Sequence, residues 1–268
     1  MLDPHQIDAY LDRIGFAGDR TPNGETLRQL HLAHMYRVPF ENLDIPLGTP
    51  IDLSLEALFD KIVRRRRGGF CYELNYLFSR LLAALGFEVR MLSAQVYQNG
   101  AYGRHFDHMT LSVALDAQPV IADVGFGDSF REPLPLGTES RDPLGVGYRI
   151  QQDGEAWVMQ QRKPGETWQH QYLFTLQDYA IEAYHEMCLY QQTNPESSFS
   201  HKSVCSIATP DGRSTISNGR FIRSTADGRH VEPIETEAAY RDLLQRHFQV
   251  ALPEDSSLAR LLFRHDQN

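Results

Sequence analysis

The sequence predicts an α+β protein, helical over its first third and an antiparallel β-sheet or barrel beyond it. Apolar residues recur at helical spacing as far as Gly86. From Phe87 the period changes to short β-rich segments separated by Gly, Asp, Asn or Pro. A closing amphipathic stretch with Ala239, Tyr240, Leu243, Leu244 and Phe248 on one face returns to the helical period.

In chain order, Ile7, Tyr10, Leu11 and Ile14 predict a helix that stops at Gly15, and Thr26, Leu27, Leu30 and Leu32 to Met35 predict a second. Prolines and Asn42 break the pattern between Val38 and Pro50, so VPFENLDIPLGTP reads as an ordered loop. Ser54 is placed to cap a helix through Leu55, Leu58, Phe59, Ile62 and Val63 to the arginine run, with Gly68 and Gly69 ending it. The next helix starts near Cys71, buries Leu74, Leu77, Phe78, Leu81, Leu82 and Leu85, and closes at Gly86.

Strands follow at EVRMLSAQVY, HMTLSVAL, PVIADVGF, GYRIQQ, AWVMQQRK and HQYLFTL. A helical patch at Tyr179 to Tyr190 then gives way to strand and turn signals from Asn194 to Arg229. With no internal repeat, low-complexity block or long linker, two or three small packed subdomains are expected, divided as 1–86 (helical), 87–190 (sheet or barrel) and 191–268.

The bulk numbers narrow the function. A net charge of -9 argues against a general nucleic-acid binder, which needs an excess of Lys and Arg. Neither a signal-like N-terminus nor an apolar run long enough to span a bilayer is visible, and a cytoplasmic protein is expected. Three cysteines, Cys71, Cys188 and Cys205, fit reduced thiols better than a disulfide framework or a zinc site, and no metal is expected.

One of those thiols has a setting suited to chemistry. RRGGFCYELN puts Cys71 after two glycines and at the first turn of a helix, where unpaired N–H groups and the helix dipole favour an anion. The glycines would let the backbone turn sharply and leave one side of the sulfur open. A plain buried cysteine is the competing reading. Cys188 and Cys205 lack any such context and read as structural.

A cysteine nucleophile needs a base and commonly a third group that orients it. Among 11 histidines, His108 stands out because it opens the apolar strand HMTLSVAL, with His105 its nearest rival. Asp123, flanked by Ile121, Ala122 and Val124, is costly to bury unless a charged or hydrogen-bonding group meets it. Its odd separation from His108 allows direct opposition across a hairpin, although the turn residues Asp116 to Pro119 centre slightly late for that register. The alternative for Asp123 is a carboxylate bonded to backbone amides. GFGDSF after it is a weak phosphate motif and equally a hairpin turn. Arg64 to Arg67 read as a solvated helix end, except that Arg67 is placed to pair with Glu41.

Together VPFENLDI, RRGGFCYELN, HMTLSV and IADVGFG resemble the signature segments of the arylamine N-acetyltransferases, in that family's order and spacing. The likeness runs through PESSF at 195–199 and is least diagnostic in the last sixty or so residues. It implies a cysteine-protease-like core with an N-terminal helical bundle, a central antiparallel β-barrel and a C-terminal α/β lid. It also implies Cys71 as nucleophile, His108 as base, Asp123 as orienting acid and an Arg67–Glu41 structural ion pair. Phe126, Gly127, Thr110 and Phe40 become expected contacts for the acceptor or coenzyme A.

The implied reaction moves an acetyl group from acetyl-CoA, through an acetyl-Cys71 thioester, to an arylamine, arylhydrazine or N-hydroxyarylamine. Oligomeric state and the CoA-contacting residues stay open. A transglutaminase-like or papain-like thiol hydrolase would use the same residue types in the same order, and an amide synthase of natural-product biosynthesis would keep all four segments. A binding protein retaining the fold would not need all three catalytic types.

Overall fold

The structure, a computed structural model, describes residues 1–115, 118–254 and 256–262. Helix α1 (Pro4–Ile14) starts on Asp3, whose carboxylate accepts the Gln6 N–H, and ends at Gly15 in the left-handed conformation. Helix α2 (Gly24–Arg37) is capped by Asn23. The expected ordered loop at Val38–Pro50 contains regular elements that the proline and asparagine breaks did not suggest. It holds a two-residue strand β1 (Phe40–Glu41) and a helical turn α3 (Asp44–Leu47), because its backbone pairs with distant segments that local sequence does not show.

Helix α4 (Leu55–Phe59) is shorter than expected and passes into a π-turn at Asp60–Arg64. Ser54 does not cap it, as its hydroxyl donates to Asp52 instead. The left-handed residue after this stretch is Arg66 (φ 54°), not a glycine. Helix α5 (Cys71–Ala84) follows, and Glu73 in its first turn accepts the Phe70 N–H at 3.0 Å.

The central sheet comprises β2 (Val89–Gln98), β3 (Ala101–Tyr102), β4 (His108–Val113), β5 (Val120–Ala122), β6 (Leu134–Pro135), β7 (Glu139–Arg141), β8 (Gly147–Asp153), β9 (Ala156–Arg162) and β10 (Gln169–Asp178). Its strands run β6-β5-β4-β2-β10-β9-β8-β7, and β3 pairs with β2. The path curls back on itself, since Gly137 donates to the Ile150 carbonyl and Ile150 to Thr138. The result is a nearly closed antiparallel barrel.

The hairpin from β4 to β5 pairs Leu111 with Ala122 and Val113 with Val120. Continued, that register sets Asp123 across from Thr110, so direct opposition to His108 does not occur; the turn centres later, as the turn residues themselves implied. Within it, Asp116 and Ala117 lie outside the described residues.

Helix α6 (His185–Thr193), preceded by a 3-10 turn, and the turn α7 (Ser198–His201) lead to a second sheet. Strands β11 (Val204–Thr209), β12 (Gly212–Ser217), β13 (Arg220–Thr225) and β14 (Gly228–Pro233) form a meander, and β1 adds to the β11 edge. Helix α8 (Glu237–Leu243) continues as a π-turn through Phe248, and α9 (Ala259–Leu262) completes the described chain.

Three apolar clusters hold this together. One joins α1, α2, α4 and α5 to Met109, Leu111 and Val113 of β4. Another fills the barrel with Leu92, Ile121, Phe130, Ile150, Tyr172 and Phe174. The third packs Cys205 and Ile216 against Tyr240, Leu244 and Phe248. Strand β4 is buried on both faces, with its hydrophobic residues toward α5 and His108 and Thr110 beside Ala94 and Leu92 on the barrel side.

Candidate active site

Cys71 is the first residue of α5 and 4% exposed. The glycines before it are explained by close packing rather than by a sharp left-handed turn. A Cβ on Gly68 would lie 2.0 Å from the Pro39 carbonyl oxygen, and neither Gly68 nor Gly69 has positive φ. Gly69 accepts the Glu41 N–H, which stitches β1 alongside the entry to the helix.

His108 opens β4 and is 2% exposed, and its Nε2 meets Asp123 Oδ2 at 2.7 Å. Asp123 is fully buried just past the end of β5. It reaches the imidazole diagonally across the hairpin rather than face to face. Burial pushes its carboxyl up, but the His108 charge and the hydrogen bonds from His108, Asn75 and the Gly125 N–H outweigh that and hold it below the ordinary carboxylate range. Asp123 is therefore an anion, and an Nε2–H donated to it leaves His108 Nδ1 as the ring nitrogen free to take a proton.

Cys71 lies close to this pair: its thiol senses the Asp123 carboxylate and the backbone N–H groups of Met109, next to His108, and of Tyr72. Gly125 lies directly over the start of α5, because a Cβ there would stand 2.8 Å from Cys71 Cα and 2.7 Å from Asn75 Nδ2. The electrostatics differ from what helix position alone predicts: burial pushes the Cys71 thiol well up, and those two N–H groups only partly offset it.

Around the three residues, Phe126 packs edge-on to His108 and to Tyr172, each with 5.0 Å between ring centroids. Gly127, at φ 87°, sits against the Phe40 ring. Phe40 and Phe70 both meet Phe199, at 6.3 and 5.9 Å, so an aromatic wall runs along this side. Thr110 is wholly buried toward the barrel interior, beside the Tyr172 hydroxyl.

Arg67 Nε lies 2.8 Å from Glu41 Oε1, and the pair is part of a larger buried network. Arg67 also meets Asp44 at 2.8 Å, and Lys61 meets Asp44 at 2.6 Å and Glu73 at 2.7 Å. Two residues that sequence reasoning missed hold Asp123. His31 of α2 accepts the Asp123 N–H at Nε2 (3.1 Å) and donates from Nδ1 to the Arg131 carbonyl (2.8 Å), a pattern that only the neutral ring satisfies. Asn75 contacts the Asp123 carboxylate directly. Its signal was present, as a polar residue one turn after Cys71 on the face of an otherwise apolar stripe.

A thiol at a helix start, an imidazole aligned by a buried carboxylate and an aromatic border define a thiol enzyme of the acyl-transfer type. The model of a family described as N-acetyltransferase matches residues 24–257. Arylamine N-acetyltransferase 1 of Homo sapiens is 39% identical over 77% of this chain and 79% of its own length, and arylamine N-acetyltransferase 2 of Mus musculus is 35% identical over 92% and 94%. Among solved structures, an arylamine N-acetyltransferase from Salmonella typhimurium superimposes with a TM-score of 0.89 at 32% identity, covering 97% of this chain and 99% of that one. The Mycobacterium marinum enzyme in complex with CoA gives 0.86 at 31%, covering 96% and 97%. The chain belongs to the arylamine N-acetyltransferase family.

Proposed function

We propose that this protein transfers an acetyl group from acetyl-CoA to an aromatic amine, hydrazine or N-hydroxyarylamine, with Cys71 as nucleophile, His108 as base and Asp123 as the group that orients it. The observation that carries this is the 2.7 Å His108–Asp123 contact in a fully buried setting, on the strand whose next N–H acts on the Cys71 thiol. The relatives' printed names and the CoA complex of one neighbour support the substrate classes.

The chemistry follows from these positions. His108 takes the Cys71 proton as sulfur attacks the acetyl carbonyl of the thioester, and the bond between the acyl carbon and the CoA sulfur breaks, with the proton returned to the departing CoA thiolate. Exchange of one thioester for another costs little, and the resulting acetyl-Cys71 is a far better acyl donor to an amine than an oxygen ester. The acceptor nitrogen then attacks, His108 removes its proton, and Cys71 leaves as a thiol. Asp123 stays ionised and stabilises the imidazolium that forms at each stage. Phe126, Gly127 and Phe40 would contact a flat aromatic acceptor, and Thr110 would lie in the segment near coenzyme A. The unpaired thiols Cys71, Cys188 and Cys205 suit a reducing compartment such as the cytoplasm.

The test is turnover of an arylamine with acetyl-CoA by wild-type protein and by Cys71→Ala and Cys71→Ser. Wild type transfers, and both variants lose at least about 1000-fold while keeping the native circular dichroism spectrum. Retained turnover in either variant removes the nucleophile assignment.

A further inference from the structure

Asn75 is wholly buried on α5, one helical turn beyond Cys71. Its Nδ2 donates to the Met109 carbonyl at 2.6 Å and to Asp123 Oδ1 at 2.9 Å, and its Oδ1 accepts the Val124 N–H at 2.9 Å. The orientation of the amide is unambiguous, since a carbonyl and an ionised carboxylate can only accept and an N–H can only donate. One side chain on the helix that carries the sulfur thus holds the residue after His108, the carboxylate of Asp123 and the residue after Asp123. From the same helix, the Tyr72 hydroxyl donates to the Phe106 carbonyl at 2.7 Å, in the turn before β4, so α5 holds the chain on both sides of His108.

We propose that Asn75 is the positioning residue of the active site, fixing the His108–Asp123 pair against the Cys71 sulfur. The proposal rests on the reading of those three residues as nucleophile, base and orienting acid. Without the amide, Asp123 Oδ1 keeps only the Gly125 N–H (3.0 Å), and its carboxylate is free to rotate away from the imidazole. The link between helix and strand at Met109 is lost in the same step. The charged and titratable groups facing this spot are Cys71 on the same helix, His108 on β4, Asp123 after β5, neutral His31 on α2 and Tyr172 on β10.

The experiment compares wild type, Asn75→Ala and Asn75→Asp in arylamine acetylation and in the rate of Cys71 alkylation by iodoacetamide, each across pH and normalised to folded protein by circular dichroism. Asn75→Ala should lower kcat by roughly 10- to 100-fold, the range for losing hydrogen bonds to a charged group, with KM for acetyl-CoA within about twofold. Its alkylation profile should move to higher pH. Asn75→Asp keeps the shape and the acceptor for Val124 but regains a donor only when protonated, so its activity should be confined to more acid pH than wild type. An unchanged kcat, or a loss that follows only the folded fraction with both pH profiles unmoved, overturns the role of Asn75. If wild-type Cys71 alkylates no faster than an ordinary thiol and accumulates no acyl group, it is the underlying reading of the site that fails instead.

Discussion

Cys71 shows two physical tendencies in opposition. The start of α5 offers N–H groups that favour a thiolate, but the sulfur is 4% exposed and burial wins, raising its pKa well above the ordinary thiol value. If His108 is the base proposed above, His108→Ala should slow iodoacetamide alkylation of Cys71 at pH 7 by tenfold or more. The remaining rate should rise steadily with pH, since only the thiolate attacks and its pKa stays high. An equally fast reaction at pH 7 in the variant would show that His108 does not activate the sulfur. At this scale Cys71, His108 and Asp123 each carried a local signal: two glycines and a helix start before the first, a strand start at the second, and an apolar strand around the third. Asn75 and His31 were not singled out, since their polar atoms are satisfied by groups 34 to 100 residues away.

At the level of elements, the entry to α5 is held by ionic contacts that span three separate segments. Arg67 and Lys61 face Glu41, Asp44 and Glu73, and Glu73 also accepts the Phe70 N–H that begins the helix. These residues are nearly all buried, so deleting one cation leaves carboxylates without compensation. Lys61→Met should therefore cost about 3–5 kcal/mol in urea unfolding, far more than a change at exposed Arg65. A midpoint unchanged within error would mean that the network does not anchor the helix. The Arg67–Glu41 partnership was visible from the lone carboxylate in PFENL. Lys61 and Asp44 were not, because the π-turn at Asp60–Arg64 rotates Lys61 inward in a way helical periodicity does not report. For the same reason β1 was read as loop, its pairing partner β11 lying far along the chain.

For the whole molecule, helices lie against one face of a nearly closed barrel, and a second sheet borrows its edge strand from the N-terminal region. The α+β class followed from the change of period at Phe87, whereas closure depends on backbone bonds such as Gly137 to Ile150 that leave no mark on hydrophobic alternation. This arrangement brings a helix start, a strand start and a strand end close together, where the proposed acyl group is carried on the Cys71 sulfur. Intact-mass measurement after mixing the protein with acetyl-CoA tests that claim most directly. A single acetyl adduct should appear on wild type, be absent from Cys71→Ser, and disappear when an aromatic amine is added, with one equivalent of acetylated amine formed. A protein that turns over the amine without ever carrying the adduct, or carries it equally in Cys71→Ser, would contradict the account.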